Sequence, residues 1–395
     1  MNDTVKLTLI PHIDIELHRN RQELIAYASL PELGVNSKTG LLINIEGLGG
    51  KVTGDGTDTE LRSYLANTYN MIVVGISYFG IERGVSVRIT DAFYNNINRI
   101  YGLGLKKEEL EAAKDANEFY YCIAARLVQR GIMNLDPRCQ PIMVTGQGEY
   151  QSWGLLPAID GLQVVGELLQ RYPVNHGRII ACGQGYGGYI AMLMGKFAPQ
   201  TFAAIIDKGG HVKSELRHVV GGEVLEPDHI ATVPVDNFPL DFSISLASDN
   251  PWTIEDEDSP YYFSDSHRQI RNLLAESHCV TSDTCYYIFH SEKDTIVPIT
   301  EKQRLVEILL KFHPVEFQRI GEANLIRGPY QSLNNDLGIS WEELLDLVKP
   351  NLCTKQESNT DFSLNNIYTF ECGTFNYEFG YQSNGGLSVK RVRVI

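Results

Sequence analysis

The stretch IIACGQGYGGYIAM, residues 179–192, joins an apolar strand to an apolar helix through a glycine-rich turn. Two patterns overlap in it. Gly183, Gly185 and Gly188 fit G-x-G-x-x-G, the turn on which the pyrophosphate of a dinucleotide rests at a helix N-terminus. The same residues fit G-x-Nuc-x-G-G, the sharp strand-to-helix turn that exposes a catalytic nucleophile, with Gly185 at the nucleophile position. The fold depends on which pattern applies.

The first pattern predicts a nucleotide-binding oxidoreductase. Asp207, at the end of the next strand, stands where an acidic residue would bind a ribose. The glycine fingerprint, however, normally occupies the first strand–helix turn of its domain. Here the apolar strands GLLINIEGLGG (40–50) and NMIVVGISYFG (70–80), with a helix between them, precede it. This function therefore stays an alternative, which the absorbance of a co-purified cofactor would reveal.

The order of elements along the whole chain favours an α/β-hydrolase fold. Residues 5–30 alternate and predict an antiparallel strand pair, and the strand at 40–50 ends in EGLGG, where such folds place the oxyanion loop. The nucleophile turn follows later, after a long amphipathic helix. Two strands further on, HSEKDTIVP supplies Asp294 in the form D-x-x-V-P that carries the acid of a catalytic triad. We therefore predict a mostly parallel central sheet.

This order predicts a single domain over residues 1–395, with insertions. Residues 84–148 interrupt the strand–helix rhythm with helical sequence and predict a helical lid. Residues 211–281, rich in Asp, Pro, His and Ser, predict an irregular second insertion. Residues 361–395 alternate around an Asn-Gly-Gly turn and predict a C-terminal antiparallel β segment.

Composition and charge are typical of a soluble globular protein. The net charge of −15 argues against nucleic-acid and anionic-membrane partners. The sequence has no apolar run near the roughly 20 residues of a membrane span and no signal-peptide pattern. The 7 cysteines, odd in number and without C-x-x-C spacing, indicate reduced thiols. Together these features predict a cytoplasmic protein.

Five blocks of the sequence together resemble one bacterial family, the domain-of-unknown-function family 2920 of the α/β-hydrolase superfamily. In order, they are HIDIELHR, INIEGLGG, EYQSWGLLPAIDGL, CGQGYGGYIAMLMGKFAP and FHSEKDTIVPITEKQRLV. The similarity covers nearly the whole chain. Members occur in bacteria that glycosylate flagellin or other surface proteins. The resemblance implies the hydrolase fold and a context in surface-glycan or flagellin modification, without naming an activity.

The chain departs from the family's pattern at two of the three triad positions. The family's turn reads G-x-S-x-G-G, whereas Gly185 has no side chain and cannot form an acyl-enzyme. The family's late block resembles S-L-x-H-x-x-G, and QSLNNDLGIS places Asn335 at the histidine position. Asn335 can hydrogen-bond but cannot accept a proton at neutral pH. Of the triad, Asp294 remains.

The groups that would bind a ligand are retained. The backbone amides of Gly47, Leu48 and Gly49, with that of Tyr186, predict a nest suited to a carboxylate or carbonyl oxygen. The alternative is that these glycines serve only tight packing. Cys182 lies in the strand before the turn, so we expect its thiol to point into the sheet rather than to replace the serine.

The sequence therefore predicts a catalytically degenerate α/β-hydrolase homologue, a pseudoenzyme that acts as a binding or scaffold protein. We expect a small molecule or glycan in the cleft, or a protein partner, and neither a cofactor nor a metal ion. Two alternatives stay open. One is an active esterase, deacetylase or O-acyltransferase that works without the usual triad or carries an engineered residue at Gly185. The other is the nucleotide-binding oxidoreductase.

Overall fold

The structure is a computed structural model that describes residues 4–82, 86–113, 116–144, 149–224, 228–236, 241–349, 355 and 359–394. The chain forms two compact units. Unit 1 comprises Met1–Ile81, Gly154–Ser214 and Asp265–Ile395, and unit 2 comprises Glu82–Trp153 and Glu215–Ser264. All residues that the sequence assigns to the site belong to unit 1.

Strands and helices of the described residues are numbered in chain order. The strands are β1 Thr4–Leu9, β2 Leu24–Ser29, β3 Gly40–Ile45, β4 Met71–Ser77, β5 Ser86–Arg88, β6 Ile142–Val144, β7 Ile179–Gln184, β8 Ala204–Lys208, β9 His229–Val233, β10 Phe242–Ser248, β11 Cys285–Ser291, β12 Val315–Ile320, β13 Ile367–Cys372, β14 Phe375–Tyr381 and β15 Leu387–Arg393. The α-helices are α1 Gly56–Tyr69, α2 Asp91–Tyr101, α3 Lys107–Glu111, α4 Ala116–Val128, α5 Leu155–Arg171, α6 Tyr186–Phe197, α7 Leu216–Val219, α8 Asp265–Arg271, α9 Ile299–Leu309, α10 Glu322–Arg327, α11 Trp341–Val348 and α12 Asp361–Leu364.

Unit 1 is built on an eight-stranded sheet in the order β1-β2-β4-β3-β7-β8-β11-β12. The strands from β4 to β12 in that order are parallel, and β1 and β2 extend one edge as an antiparallel pair. The central strands β3, β7, β8 and β11 are buried almost throughout, as apolar strands are when both faces of a parallel sheet are covered. This sheet, with a nucleophile-type turn between β7 and α6, confirms the predicted α/β-hydrolase fold.

The register of the sheet brings the predicted site elements to one edge. Ile45, the last residue of β3, pairs with Gly183 of β7. Gln184 pairs with Lys208, the last residue of β8, and Lys208 pairs with Phe289 near the end of β11. Because the carboxyl ends of parallel strands lie together, the loops after β3, β7 and β11 leave the sheet side by side.

Helices cover both faces of this sheet. On one face, a buried cluster joins strand residues to α1 and α11; it includes Leu42, Cys182, Ile206, Phe289, Leu65, Leu344 and Leu345. On the other, Gly195 of α6 approaches Ile205, which alternates with Ile206 along β8. None of the helices in the described part of the chain is long and apolar enough to span a bilayer.

Strands β13–β15 form a separate antiparallel sheet in unit 1, as predicted for the C-terminal segment. The predicted Asn-Gly-Gly turn connects β14 to β15, and Gly385 within it has φ 76°. Phe379 of β14 stacks on Phe197 of α6 at 4.3 Å between ring centroids. The small sheet is therefore packed onto the helix that begins at the nucleophile turn.

Unit 2 has its own core and a four-stranded sheet in the order β5-β6-β10-β9. Its first segment contains α2, α3 and α4, as the expected helical insertion does, but also the short strands β5 and β6. Its second segment differs from the irregular structure expected over 211–281, since it contributes β9 and β10. Phe242, Ile244 and Leu246 alternate with polar or half-buried residues in β10, a strand pattern surrounded by loop-forming residues.

Candidate functional site

Gly185 forms the turn between β7 and α6 with φ 55° and ψ −116°. Residues with a side chain rarely adopt this backbone conformation. The Gly185 amide donates to Lys208 O at 2.9 Å, and its carbonyl accepts from Tyr189 N at 3.1 Å. A Cβ on Gly183 or Gly187 would overlap neighbouring backbone atoms. These flanking glycines therefore permit the close approach of strand and helix, while Gly185 supplies the turn.

The structure places Gly185 and Asn335 side by side. A Cβ built on Gly185 would lie 3.6 Å from Asn335 Nδ2. Apart from the chain neighbours of Gly185, no other atom of the described residues would be within 4 Å of it. Otherwise the space around that position is open. The Asn335 backbone packs against Gly209, whose φ of +63° and lack of a side chain allow the contact. Asn335 therefore occupies a position beside the nucleophile turn, as the family's pattern predicts.

The loop that carries Asn335 is fastened to two strand ends. Ser291 Oγ, at the end of β11, donates to Leu333 O at 2.6 Å. Lys208 Nζ, at the end of β8, donates to Ile339 O at 3.0 Å. No described residue hydrogen-bonds the Asn335 side chain. The loop is therefore anchored on both sides of Asn335, and the side-chain amide of Asn335 is available to a ligand.

Asp294 follows β11, as predicted. Its Oδ1 accepts hydrogen bonds from Ile296 N at 2.8 Å and Val297 N at 3.1 Å. The Asp294 side chain is only 1% exposed, so its Oδ2 is buried. This oxygen has no hydrogen-bond partner among the described residues. A buried carboxylate oxygen without a donor is costly, and in a triad the histidine supplies that donor. Asp294 Oδ2 is thus an acceptor that lacks such a donor among the described residues.

His290 does not take over that role. It lies wholly buried on β11, with Nε2 3.8 Å from Asp294 Oδ2. The same Nε2 donates to Val297 O at 2.9 Å, because a carbonyl oxygen can only accept. Burial lowers the pKa of His290, so the ring is neutral at pH 7 and is engaged with the backbone.

The glycine-rich loop after β3 is closed by its own hydrogen bonds. Gly49 N donates to Ile81 O at 2.7 Å, and Gly50 N donates to Gly47 O at 3.0 Å. The amides of Gly47 and Leu48 have no acceptor among the described residues. Gly49 thus shapes the loop and does not offer its amide, which corrects that part of the predicted nest.

This loop lies against the first turn of α6. The space where Gly187 would carry a Cβ is filled by the carbonyl of Ile45, and a Cβ on Gly47 would lie 3.6 Å from Gln184 O. Gly47 is therefore beside the N-terminus of α6, where Tyr186 is the first residue and backbone amides point out of the helix. The predicted oxyanion loop and helix N-terminus do come together.

Glu46, which the sequence analysis did not single out, stands at the start of this loop. Asn44 Nδ2 donates to its Oε1 at 3.2 Å. Burial, with a smaller effect of Asp58, raises the pKa of the Glu46 carboxyl. An acidic residue directly after a buried strand, at the sheet edge that carries the site, is the signal that could have identified it.

Cys182 points into the sheet, as expected. It belongs to the buried cluster beneath α1 and α11, and its Sγ donates to Asn44 Oδ1 at 3.5 Å. Burial raises the pKa of this thiol far above its usual range. The thiol is thus protonated at neutral pH and is not a substitute nucleophile.

Asp207 is not placed to bind a ribose. It is wholly buried; Oδ1 accepts from Gly210 N at 2.8 Å, and Oδ2 pairs with Lys302 Nζ at 2.7 Å. The turn that follows β7 is also not the first strand–helix turn of its sheet. The dinucleotide fingerprint therefore lacks two of its features: an acidic residue placed to bind the ribose, and a position in the first strand–helix turn of the sheet.

A family model described as "Protein of unknown function (DUF2920)" matches residues 9–387 of the chain. No curated protein is significantly similar to the chain in sequence.

Solved structures with a similar fold include peptidases and esterases. An acylaminoacyl peptidase of Pyrococcus horikoshii has 13% sequence identity and a TM-score of 0.46, over 90% of this chain and 42% of that chain. Dipeptidyl peptidase 4 of Porphyromonas gingivalis has 14% identity and a TM-score of 0.42, over 89% and 35%. An arylesterase has 12% identity and a TM-score of 0.39, over 81% and 75%. The chain spans less than half the length of either peptidase.

Proposed function

Because the chain belongs to the DUF2920 family, whose description leaves the activity open, we propose its function from the site: it is a catalytically degenerate hydrolase homologue that binds a ligand beside Gly185 without covalent catalysis. The observation that carries this proposal is the 3.6 Å approach of Asn335 Nδ2 to the Cβ position of Gly185. The positions of nucleophile and base are adjacent, yet neither residue can perform its step.

The remaining polar groups favour a ligand that carries both an acceptor and a donor. The amides of Gly47 and Leu48 are donors suited to a carbonyl or carboxylate oxygen. Asp294 Oδ2 is an acceptor suited to a hydroxyl or N–H group. An acylated sugar or a similar hydroxylated acyl compound has both. The link to surface-glycan or flagellin modification rests on the family resemblance, the cytoplasmic location on composition and cysteine usage, and the scaffold role on the altered triad positions. All three belong to the proposal.

The test is hydrolysis of p-nitrophenyl acetate and labelling by a fluorophosphonate probe. We expect the protein to be silent in both and the Gly185→Ser, Asn335→His double variant to be labelled, because the open space at Gly185 admits a serine beside the new base. The double variant with Asp294→Asn added is the matched control and should label more slowly, since Asp294 orients the histidine.

Turnover by the unaltered protein that Asp294→Asn abolishes would contradict the proposal. The active esterase, deacetylase or acyltransferase would then be the better account. A double variant that folds but is not labelled would show that residues 185 and 335 are not the nucleophile and base positions.

A further inference from the structure

Three polar residues form a row across neighbouring strands, at the sheet edge that carries the candidate site. Gln184, the last residue of β7, pairs with Lys208, the last residue of β8. Glu46 follows Ile45, whose partner Gly183 precedes Gln184. Neighbouring strands lie about 4.8 Å apart, so this polar row spans roughly 10 Å of backbone. It ends directly before the glycine turn.

The side chains of the polar row lie on the face of the sheet that α1 and α11 cover. Residues two apart in a strand share a face, and Cys182 and Ile206 belong to the buried cluster beneath these helices. Lys208 Nζ accordingly lies 4.8 Å from the ring centroid of Trp341, the first residue of α11. Glu46 is on the same face, because the hydrogen bonds described above link its carboxyl to Cys182 through one asparagine.

The polar row uses little of its hydrogen-bonding capacity. The side-chain amide of Gln184 has no hydrogen bond to the described residues, although it carries both donors and an acceptor. Lys208 is only 3% exposed, yet its Nζ donates to Ile339 O alone among the described residues. The Glu46 carboxyl accepts only from Asn44. Polar groups that are buried or half-buried and lack partners mark the place of a further molecule.

Glu46 and Lys208 carry opposite charges but are held apart. Burial raises the pKa of the Glu46 carboxyl and lowers that of the Lys208 amine, and the charge of each only partly offsets this effect on the other. Among the described residues, neither side chain forms an ion pair. Gln184 lies on the strand between theirs. A molecule bound along the polar row therefore meets a carboxyl at one end and an amine at the other.

An uncharged, hydroxylated ligand suits this arrangement. A hydroxyl group donates to a carboxylate and accepts from a carboxylic acid, so it pairs with Glu46 in either protonation state. It also suits the Gln184 amide, which both donates and accepts. An anionic group would meet the charge of Glu46 and a cationic group that of Lys208, and like charges repel. A sugar presents several hydroxyl groups around one ring and can contact the row at more than one point.

We propose that Glu46 and Gln184 bind hydroxyl groups of an uncharged sugar whose acyl group lies beside Gly185. This inference rests on the function proposed above and adds the place and the charge of the sugar. Both residues are half-buried and so can contact a ligand. Lys208 is buried and ties the end of β8 to the loop that carries Asn335.

The test compares two esters that share an acetyl group on a CH2O unit attached to a six-membered ring. One is glucose acetylated on its primary hydroxyl group, and the other is cyclohexylmethyl acetate, which has no hydroxyl group. Fluorine NMR of protein labelled with fluorotryptophan follows their binding. Of the 3 tryptophans, Trp341 is half-buried beside Lys208, whereas Trp153 and Trp252 are buried.

We expect the acetylglucose to shift the signal of Trp341, which a Trp341→Phe variant assigns. It should bind at least roughly 10-fold more tightly than cyclohexylmethyl acetate, because the ester without hydroxyl groups leaves Glu46 and Gln184 unpaired. Equal affinities for the unaltered protein would overturn the inference, and so would no binding of the acetylglucose. This comparison needs no variant of the polar row.

Two variants locate the preference. Gln184→Leu keeps the size of the side chain but removes the amide, and it should lose most of the 10-fold preference. Gln170→Leu is the matched control: Gln170 is exposed on α5, which contacts α6 on the other face of the sheet, and the preference should persist. A preference that Gln184→Leu leaves intact in a folded protein would contradict the role of Gln184.

Failure of the proposed function would be seen differently. Release of acetate from either ester by the unaltered protein would contradict binding without catalysis at Gly185. The ratio of the two affinities, measured before any release, would still decide whether the polar row binds the sugar.

Discussion

Gly185 keeps the backbone of a nucleophile turn although it has no nucleophile. At φ 55° and ψ −116°, any other residue would store strain, which hydrolases accept in order to expose the catalytic side chain. Glycine adopts the same conformation without that cost. A serine at this position would bring both a nucleophile and backbone strain, whereas glycine brings neither.

Gly185→Ala should lower the free energy of unfolding by about 1–3 kcal/mol, because the methyl group meets no clash but the φ angle is unfavourable. Urea unfolding measures this. Gly47→Ala is the matched control in the same site: its φ is not in the left-handed region and its Cβ would make an ordinary contact, so it should change stability little. Equal stability of Gly185→Ala and the unaltered protein would contradict the turn's conformation.

Loss of the charge should cost much more stability at Asp207 than at Asp294. Asp207→Asn leaves the wholly buried Lys302 without its partner and should cost about 3–5 kcal/mol. Asp294→Asn replaces an oxygen, Oδ2, that has no hydrogen-bond partner among the described residues. The amide oxygen of the asparagine can still accept from Ile296 N and Val297 N, as Oδ1 of Asp294 does. We therefore expect at most about 1 kcal/mol there. Equal losses in urea unfolding would show that Asp294 has a stabilising partner.

The strands that are buried on both faces were predictable from the sequence. The strands β3, β7, β8 and β11 are continuous apolar runs because both of their faces are buried, and turn glycines delimit them. In contrast, β9 and β10 are short alternating segments among Asp, Pro and Ser. β9 pairs with β10, and β10 also pairs with β6, a strand distant in sequence whose partnership local patterns do not reveal.

The site was predictable to the same extent. The spacing of motifs put Gly185 after β7 and Asp294 after β11, whereas the resemblance to the family put Asn335 at the histidine position. The engagement of Gly49 with Ile81 and the role of Glu46 depend on contacts between distant segments. Those contacts follow from the packing of the loop after β3 and have no local signature.

A buried ion pair links three elements of unit 1. Arg271 Nη1, at the end of α8, donates to Glu16 Oε1 at 2.9 Å, and Tyr377 of β14 donates to the same oxygen at 3.1 Å. Burial alone would raise the pKa of Glu16, but Arg271 and His267 more than offset this and lower it. Glu16 therefore contributes stability that is present above its unfolded pKa and is lost as pH falls through the lower folded value.

Glu16→Gln should cost about 3–5 kcal/mol at pH 7, because it leaves Arg271 buried without its partner. The loss should shrink as pH falls from the ordinary glutamate pKa through the lowered folded pKa, because Glu16 of the unaltered protein then becomes protonated. Urea unfolding at several pH values measures it. Glu276→Gln, which removes the exposed partner of Lys311, should show neither effect. A pH-independent loss at Glu16 would contradict the ion-pair account.

On the scale of the whole molecule, the sequence predicted one domain with two insertions, whereas the chain forms two compact units. Unit 2 combines Glu82–Trp153 with Glu215–Ser264 around one core. The two segments looked separate because about 60 residues of unit 1 lie between them in sequence, at Gly154–Ser214. Two segments that are distant in sequence form one unit through tertiary contacts, and the composition of each segment does not predict those contacts.

Cysteine reactivity should report on the folding of the whole chain. None of the described cysteines is in a disulfide. Cys122 and Cys279 are half-buried, and Cys139, Cys182, Cys285 and Cys372 are buried. Cys353 lies outside the described residues. Iodoacetamide should modify Cys122 and Cys279 in the native protein and the buried four only on unfolding, as mass spectrometry can follow. Rapid modification of native Cys182 would contradict its place in the sheet.

The proximity of residues 185 and 335 also bears on how easily a nucleophile and a base could arise at this turn in evolution. One nucleotide change turns a GGU or GGC glycine codon into a serine codon, and one turns either asparagine codon into a histidine codon. The fold already holds Asn335 Nδ2 3.6 Å from the position that a Cβ of residue 185 would occupy. A lineage with such codons would stand two point mutations from a serine that lies beside a histidine at this turn.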